Sequence, residues 1–214
     1  MANNNSAEII ELFSTPIKTI QFNDLELFDR LGKLVYNYLP ANYFEQLEIL
    51  GGVTTPDNLN QLEEFKELYN LIDLEMKGYF NDYLGVDPNA VHMNAMWANV
   101  QRPGGSHGVH QHPNSFFSGV VYLDIPKDMG MPGFIHFMDP RPAKCMSHAD
   151  YTKEHGMSYR AWTFAPKVGM MIIFPSWLEH GTNPYINKNS DSLRISLSFN
   201  YTLDKCSINT MKIN

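Results

Sequence analysis

Apolar residues recur at three and four along the first part of the chain and alternate along much of the rest. Over residues 24–39, Leu27, Phe28, Leu31, Leu34, Val35 and Tyr38 fall on one face of a helix. Asn23 or Asp24 serves as its cap and Pro40 as its stop. The same period returns over residues 57–83 through Leu62, Phe65, Tyr69, Ile72, Met76, Tyr79, Phe80 and Tyr83. Pro56 stands near the start of this second helix, and Gly85 lies just past its end. Residues 13–22 suit a short strand ahead of both.

After residue 90 the texture changes. Stretches suited to strands cover residues 92–100, 116–123, 133–138, 170–175 and 193–202, with a short piece at 181–185. Clusters of Pro, Gly, Asn and Asp separate them. Strands in succession without long helices between them predict a mainly β fold, an antiparallel sandwich or open barrel, with the N-terminal helices covering one sheet. Residues 1–90 are read as a strand and support helices of the same domain, 91–205 as the β core, and 206–214 as a tail. Residues 141–167 form the longest irregular segment, and a loop of that length in a compact domain is usually functional, often a lid. It carries Arg141, Lys144, Lys153, Arg160 and Lys167 against Asp150 and Glu154. Arg141, Arg160 and Trp162 are its candidate substrate contacts; a solvated loop explains the same charges.

In the last strand, "LRISLSFNYT", Arg194, Ser196, Ser198 and Asn200 leave from one face, and Ile195, Leu197, Phe199 and Tyr201 from the other. The polar row faces either solvent or the inside of a barrel mouth. In the second case Arg194 is an anion anchor in a pocket.

Composition narrows the class. With 214 residues, 43% of them hydrophobic, the chain is expected to be one globular domain, or one domain with an elaborated end. A net charge of −7 argues against a protein built to hold nucleic acid or an anionic membrane. No apolar run is long enough for a membrane span, and the opening residues, MANNNSAEII, lead to no expectation of a secretory signal. Two cysteines, Cys145 and Cys206, are too few for a disulfide framework, so a reducing, cytoplasmic compartment is expected. There is no G-x-S-x-G, P-loop or dinucleotide fingerprint.

The candidate chemistry lies in "HGVHQHPNSFFSGVVYL", which begins with His107, His110 and His112. His110 and His112 are two apart, so on an extended backbone both side chains leave from the same face and can share one metal ion. His180, in "FPSWLEHGTNPY", follows another apolar strand, and an antiparallel fold can bring it beside the pair. Each histidine alone reads equally as a surface or turn residue. His107 is close enough to approach the metal or substrate but reads as a loop bystander, His136 reads as a satisfied interior or surface histidine of a strand, and His92, His148 and His155 read as non-ligands.

The combination of these pieces resembles the Fe(II)/2-oxoglutarate-dependent oxygenases. More closely than the superfamily at large, it resembles a family within it, with prolyl-hydroxylase-like members, whose signature is H-x-H-P-x-S-x-x-S-G-x-x-Y-L. Here it reads from His110, His112 and Pro113 through Ser115, Ser118 and Gly119 to Tyr122 and Leu123. "FMDPR", "FPSWLEHGTNPY" and "RISLSFN" extend the likeness over about residues 92–202. The resemblance implies a double-stranded β-helix of the jelly-roll or cupin-like kind, supported by α-helices, with Fe(II) and 2-oxoglutarate as cofactors and O2 as co-substrate. It implies that His110, His112 and His180 hold the metal and that Arg194, Ser196 and Tyr122 hold 2-oxoglutarate. The implied reaction hydroxylates a C–H bond of a peptide, protein or small molecule and releases succinate and CO2.

His112 stands where most of the superfamily has an aspartate. Three arrangements follow: a three-histidine site, water in place of His112, or a carboxylate from Glu179, Asp124 or Asp139. The first is the expectation. Two other functions compete, a cupin-like three-histidine metalloprotein that does not use 2-oxoglutarate and a non-catalytic binding module. Arg194 speaks against the former, and retention of His110, His180 and Arg194 together against the latter.

Overall fold

The computed structural model describes residues 13–127, 130–141, 150–154 and 158–204. Among these, the α-helices all lie in the first part of the chain and most of the strands follow them. A short strand, β1 (Lys18–Gln21), leads into α1 (Leu25–Val35). The Asp24 side chain caps that helix, accepting from the Leu27 N–H at 3.0 Å. Leu27, Phe28, Leu31 and Val35 form its buried stripe, as their spacing requires.

A helix absent from the sequence reading follows, α2 (Tyr43–Leu50), then β2 (Gly52–Thr54). Only Leu47 of α2 is buried, while Phe44, Ile49 and Leu50 are exposed, so it has no apolar stripe to detect. The second predicted helix starts late. Residues 57–65 form tight turns tied to the sheet, with Met96 N–H donating to Asp57 O at 2.8 Å. The α-helix proper is α3 (Lys66–Gly78), which runs into a π-turn and ends at Gly85 with φ 64°.

The β region comprises β3 (Val91–Gln101), β4 (His107–His110), β5 (Phe117–Asp124), β6 (Met131–Pro132), β7 (Ile135–Met138), β8 (Ala161–Phe164), β9 (Met170–Pro175), β10 (His180–Thr182), β11 (Tyr185–Ile186) and β12 (Arg194–Leu203). β4 and β8 lie in stretches that read as loops, so the segment 141–167 is not wholly irregular. All paired strands run antiparallel, in a six-stranded sheet β1-β9-β5-β12-β3-β2 and a four-stranded sheet β4-β10-β7-β8. β6 and β11 form a small third ladder.

The strands of the large sheet alternate between two apolar layers. Leu197, Phe199 and Tyr201 pack with Phe28, Leu31, Ile72, Met76 and Phe80 of the helices. Val120, Tyr122, Ile172 and Phe174 pack with Ile135 and Phe137 of the small sheet. Each such side chain stabilises the fold by about 1.5–3 kcal/mol on burial. Because the helices take one face of β12, the polar row of Arg194, Ser196 and Ser198 is turned toward the small sheet and not toward solvent. Across the ladder its partners are Gln101, Asn99 and Trp97, which share that face. Among the described residues no helix is long and apolar enough to cross a membrane.

Candidate metal centre

β4 and β10 pair so that His110 and His180 are direct partners. His112 lies two residues past the end of β4, where its backbone N–H donates to Ser176 O at 3.0 Å. One ring nitrogen of each of the three histidines lies within 4.8 Å of the other two. Among the described residues no carboxylate joins the cluster. Glu179 is exposed beside His180, Asp124 is exposed at the end of β5, and Asp139 is bonded to Arg141.

Hydrogen bonds aim the imidazoles. His110 Nδ1 lies 2.8 Å from Gly108 O and His180 Nδ1 lies 2.9 Å from Leu178 O. A carbonyl can only accept, so each Nδ1 carries a proton, which leaves Nε2 as the atom free to bind a metal. His112 Nε2 is 3.2 Å from His180 Nε2. Two nitrogens at neighbouring positions around one ion, each about 2.1 Å from it, would be separated by about 3 Å. Burial, with a smaller contribution from His110, pushes the His112 imidazole down to about 4. Burial pushes His180 down to about 3, against the opposing Leu178 hydrogen bond. Both are therefore neutral at pH 7 and able to donate to a metal. Three converging imidazoles suit a divalent transition ion such as ferrous iron.

The cluster opens on a cavity of about 310 Å³ that is also lined by Arg194, Ser196 and Tyr122. Arg194 is 2% exposed. Its Nη1 donates to Gly133 O at 2.7 Å and to Pro132 O at 3.3 Å, and its Nη2 donates to Gln101 Oε1. Its Nε is buried without a partner. The Tyr185 ring lies under the guanidinium, 5.5 Å from centroid to Cζ. Burial pulls the Arg194 pKa down and the Tyr122 and Tyr185 phenols oppose it, but an arginine remains a cation throughout. Among the described residues no carboxylate pairs with it. Of its five N–H groups, three are spoken for. The Nε–H and one Nη2–H remain, the edge that binds a carboxylate through two parallel hydrogen bonds. Gly133, at φ 66°, is required here, because a Cβ would run into Arg194 Nη1.

The structure thus brings His110, His112, His180, Arg194, Ser196 and Tyr122 to one cavity. It does not bring Arg141, Arg160 or Trp162 to the cavity lining. Arg141 pairs with Asp139 at 2.9 Å, Arg160 is exposed, and Trp162 packs edge-on against Tyr159. His136 is satisfied as expected, its Nδ1 3.1 Å from Asn183 Oδ1, and His92 lies at the surface near Asp204. Lys144, Cys145, His148, His155, Cys206 and the tail lie outside the described residues. His107 lines the cavity instead of standing aside as a loop residue, because β4 continues back to it; burial, then His110 and Arg194, push it down to about 4.

Trp97, Asn99 and Gln101 were missed. Trp97 packs 5.9 Å from the His112 ring, and Asn99 Nδ2 donates to Ser198 Oγ at 3.0 Å. Their alternation along β3 is the signal available in the sequence. Which face of β3 meets the site is set by its pairing with β12.

Residues 95–200 match the family described as "Putative 2OG-Fe(II) oxygenase". No curated protein matches the chain. Among solved structures it is similar to a Pseudomonas putida prolyl-4-hydroxylase, with TM-score 0.61 and 15% identity over 90% of this chain and 95% of that one. A viral collagen prolyl hydroxylase from Paramecium Bursaria Chlorella virus-1, in its 2OG complex, gives TM-score 0.54 and 14% identity over 88% and 96%. HygX from Streptomyces hygroscopicus, with nickel and 2-oxoglutarate bound, gives 0.57 and 10% over 88% and 83%. At these identities the likeness is one of fold. The two facing antiparallel sheets and their helices resemble the double-stranded β-helix of 2OG oxygenases.

Proposed function

Because this chain belongs to the 2OG-Fe(II) oxygenase family, we propose that it is a 2-oxoglutarate-dependent hydroxylase acting on a C–H bond of a peptide, protein or small molecule. One observation carries the reading: a buried guanidinium that, among the described residues, has no carboxylate partner and an unpartnered Nε shares a cavity with three convergent imidazoles. A metal bound by imidazoles alone has no use for such a cation. A co-substrate that chelates the metal at one end and carries a carboxylate at the other does. This favours the oxygenase over a cupin-like metalloprotein that acts without 2-oxoglutarate.

In this reading His110, His112 and His180 hold Fe(II) through their Nε2 atoms. Bound iron, 2-oxoglutarate and O2 together supply the oxidation, coupling decarboxylation to succinate and CO2 with oxygen insertion into the substrate. Arg194 takes the far carboxylate on its Nε and Nη2 edge, and Ser196 offers a hydroxyl beside it. The Tyr122 phenol, pushed up to about 12 by burial, stays protonated and donates at neutral pH. Val120, Ile135 and Phe174 wall the cavity with apolar surface and limit water. The helices, which share a core with the large sheet, belong to the same unit. Prolyl hydroxylases and HygX, the latter also solved with hygromycin B, keep both peptides and small molecules within the proposed substrate range.

The test is anaerobic addition of Fe(II) and 2-oxoglutarate to the purified protein. A weak visible metal-to-ligand charge-transfer band is expected, with 2-oxoglutarate bound more tightly in the presence of metal. Absence of both overturns the proposal.

A further inference from the structure

Arg194 is held in place by neutral acceptors. Gln101 is its Cα partner across the β3–β12 ladder and is itself 2% exposed. Gln101 Oε1 accepts from Arg194 Nη2, while the Gly133 and Pro132 carbonyls accept from Nη1. On the other side Gln101 pairs with Gly52, where a Cβ would stand 3.3 Å from Gln101 Cγ, so the glycine leaves room for the side chain. The next residue, Arg102, just past the end of β3, pairs with Glu48 at 2.6 Å. The outer arginine has an acidic partner and the inner one has an amide.

We propose that Gln101 is a positioning and specificity residue: it fixes the guanidinium of Arg194 while leaving its charge uncompensated, so that the site selects a 2-oxo acid with a second, distal carboxylate. The inference rests on the function proposed above. A buried cation bonded only to neutral groups has lost its hydration without gaining a counterion. An incoming carboxylate supplies that counterion. A glutamate at position 101 has nearly the same shape as glutamine, but it would neutralise Arg194 from within and repel the incoming anion.

The experiment compares the Zn(II)-loaded wild type with Gln101→Glu and Gln101→Met. Zinc has no redox chemistry, so binding is read without turnover. Each protein is titrated calorimetrically with 2-oxoglutarate and with 2-oxobutyrate, which lacks the distal carboxylate. Wild type should prefer 2-oxoglutarate. Gln101→Glu should weaken 2-oxoglutarate on the order of 100-fold, leave 2-oxobutyrate and Zn(II) affinity nearly unchanged, and so abolish the preference. Gln101→Met removes the acceptor without adding charge; it should weaken 2-oxoglutarate by about tenfold, leave 2-oxobutyrate nearly unchanged, and so narrow the preference without abolishing it. A purely structural role would move both acids and the metal together. Gln101→Glu that keeps the wild-type preference overturns the inference. So does Gln101→Met that weakens both acids equally, a measurement that stands even where the glutamate variant fails to fold. A wild type that takes up neither acid, or takes up both alike, overturns the underlying reading of Arg194 as well.

Discussion

His112 and His180 face each other with their ring planes 10° apart and their Nε2 atoms 3.2 Å apart. The proton on His180 Nδ1 is engaged by Leu178 O, so the lone pair of its Nε2 points at His112. The arrangement puts an imidazole where most of the superfamily is expected to carry an aspartate.

Truncating His112 tests whether it binds the ion. His112→Ala is expected to weaken Fe(II) affinity by about 100-fold or more, measured anaerobically by competition with a chelator. An affinity equal to wild type would leave His112 off the metal and return the third position to water.

Arg194→Ala should remove 2-oxoglutarate binding and spare the metal. Calorimetry with metal present reads the first, and chelator competition reads the second. Retained 2-oxoglutarate affinity would show that the carboxylate is anchored elsewhere.

Gly133→Ala addresses the cradle of that arginine. Its positive φ and the collision of a Cβ with Arg194 Nη1 should together cost about 1–3 kcal/mol. Urea denaturation measures the loss, and 2-oxoglutarate affinity should fall with it. An unchanged midpoint would mean that the segment before β7 yields easily.

The cluster also predicts a pH dependence for the metal-free protein. Folding holds His107 and His112 at about 4 and His180 at about 3, below their ordinary value near 6.5. Above pH 6.5 neither folded nor unfolded chains bind these protons, so stability is fully present. As pH falls below 6.5 the unfolded chain takes them up first, and stability declines until the folded imidazoles also titrate near pH 4 and below. Two of the three rings are only half-buried, so solvent screening holds the total to about 3 kcal/mol. Thermal melts between pH 7 and 4 check this, and bound metal should shift the decline to lower pH. A flat profile in the metal-free protein would exclude burial of neutral imidazoles.

Local spacing along the chain dictates which side chains share a face within one element. His110 and His112 two apart, Arg194 and Ser196 two apart, and the stripe of Leu27, Phe28, Leu31 and Val35 all follow from the backbone periods of strand and helix. Those periods are local, so they survive without knowledge of the fold, and the resemblance built on them was legible for the same reason. What each face meets depends on how distant strands pair. The fold set His180 opposite His110, turned the polar row of β12 inward, and placed Gln101 against Arg194 across 93 residues of chain. It also made a strand of the histidine loop and a helix of Tyr43–Leu50, which no local period marked. Register between distant strands depends on many weak contacts summed over the whole core, and no short window of sequence contains that sum.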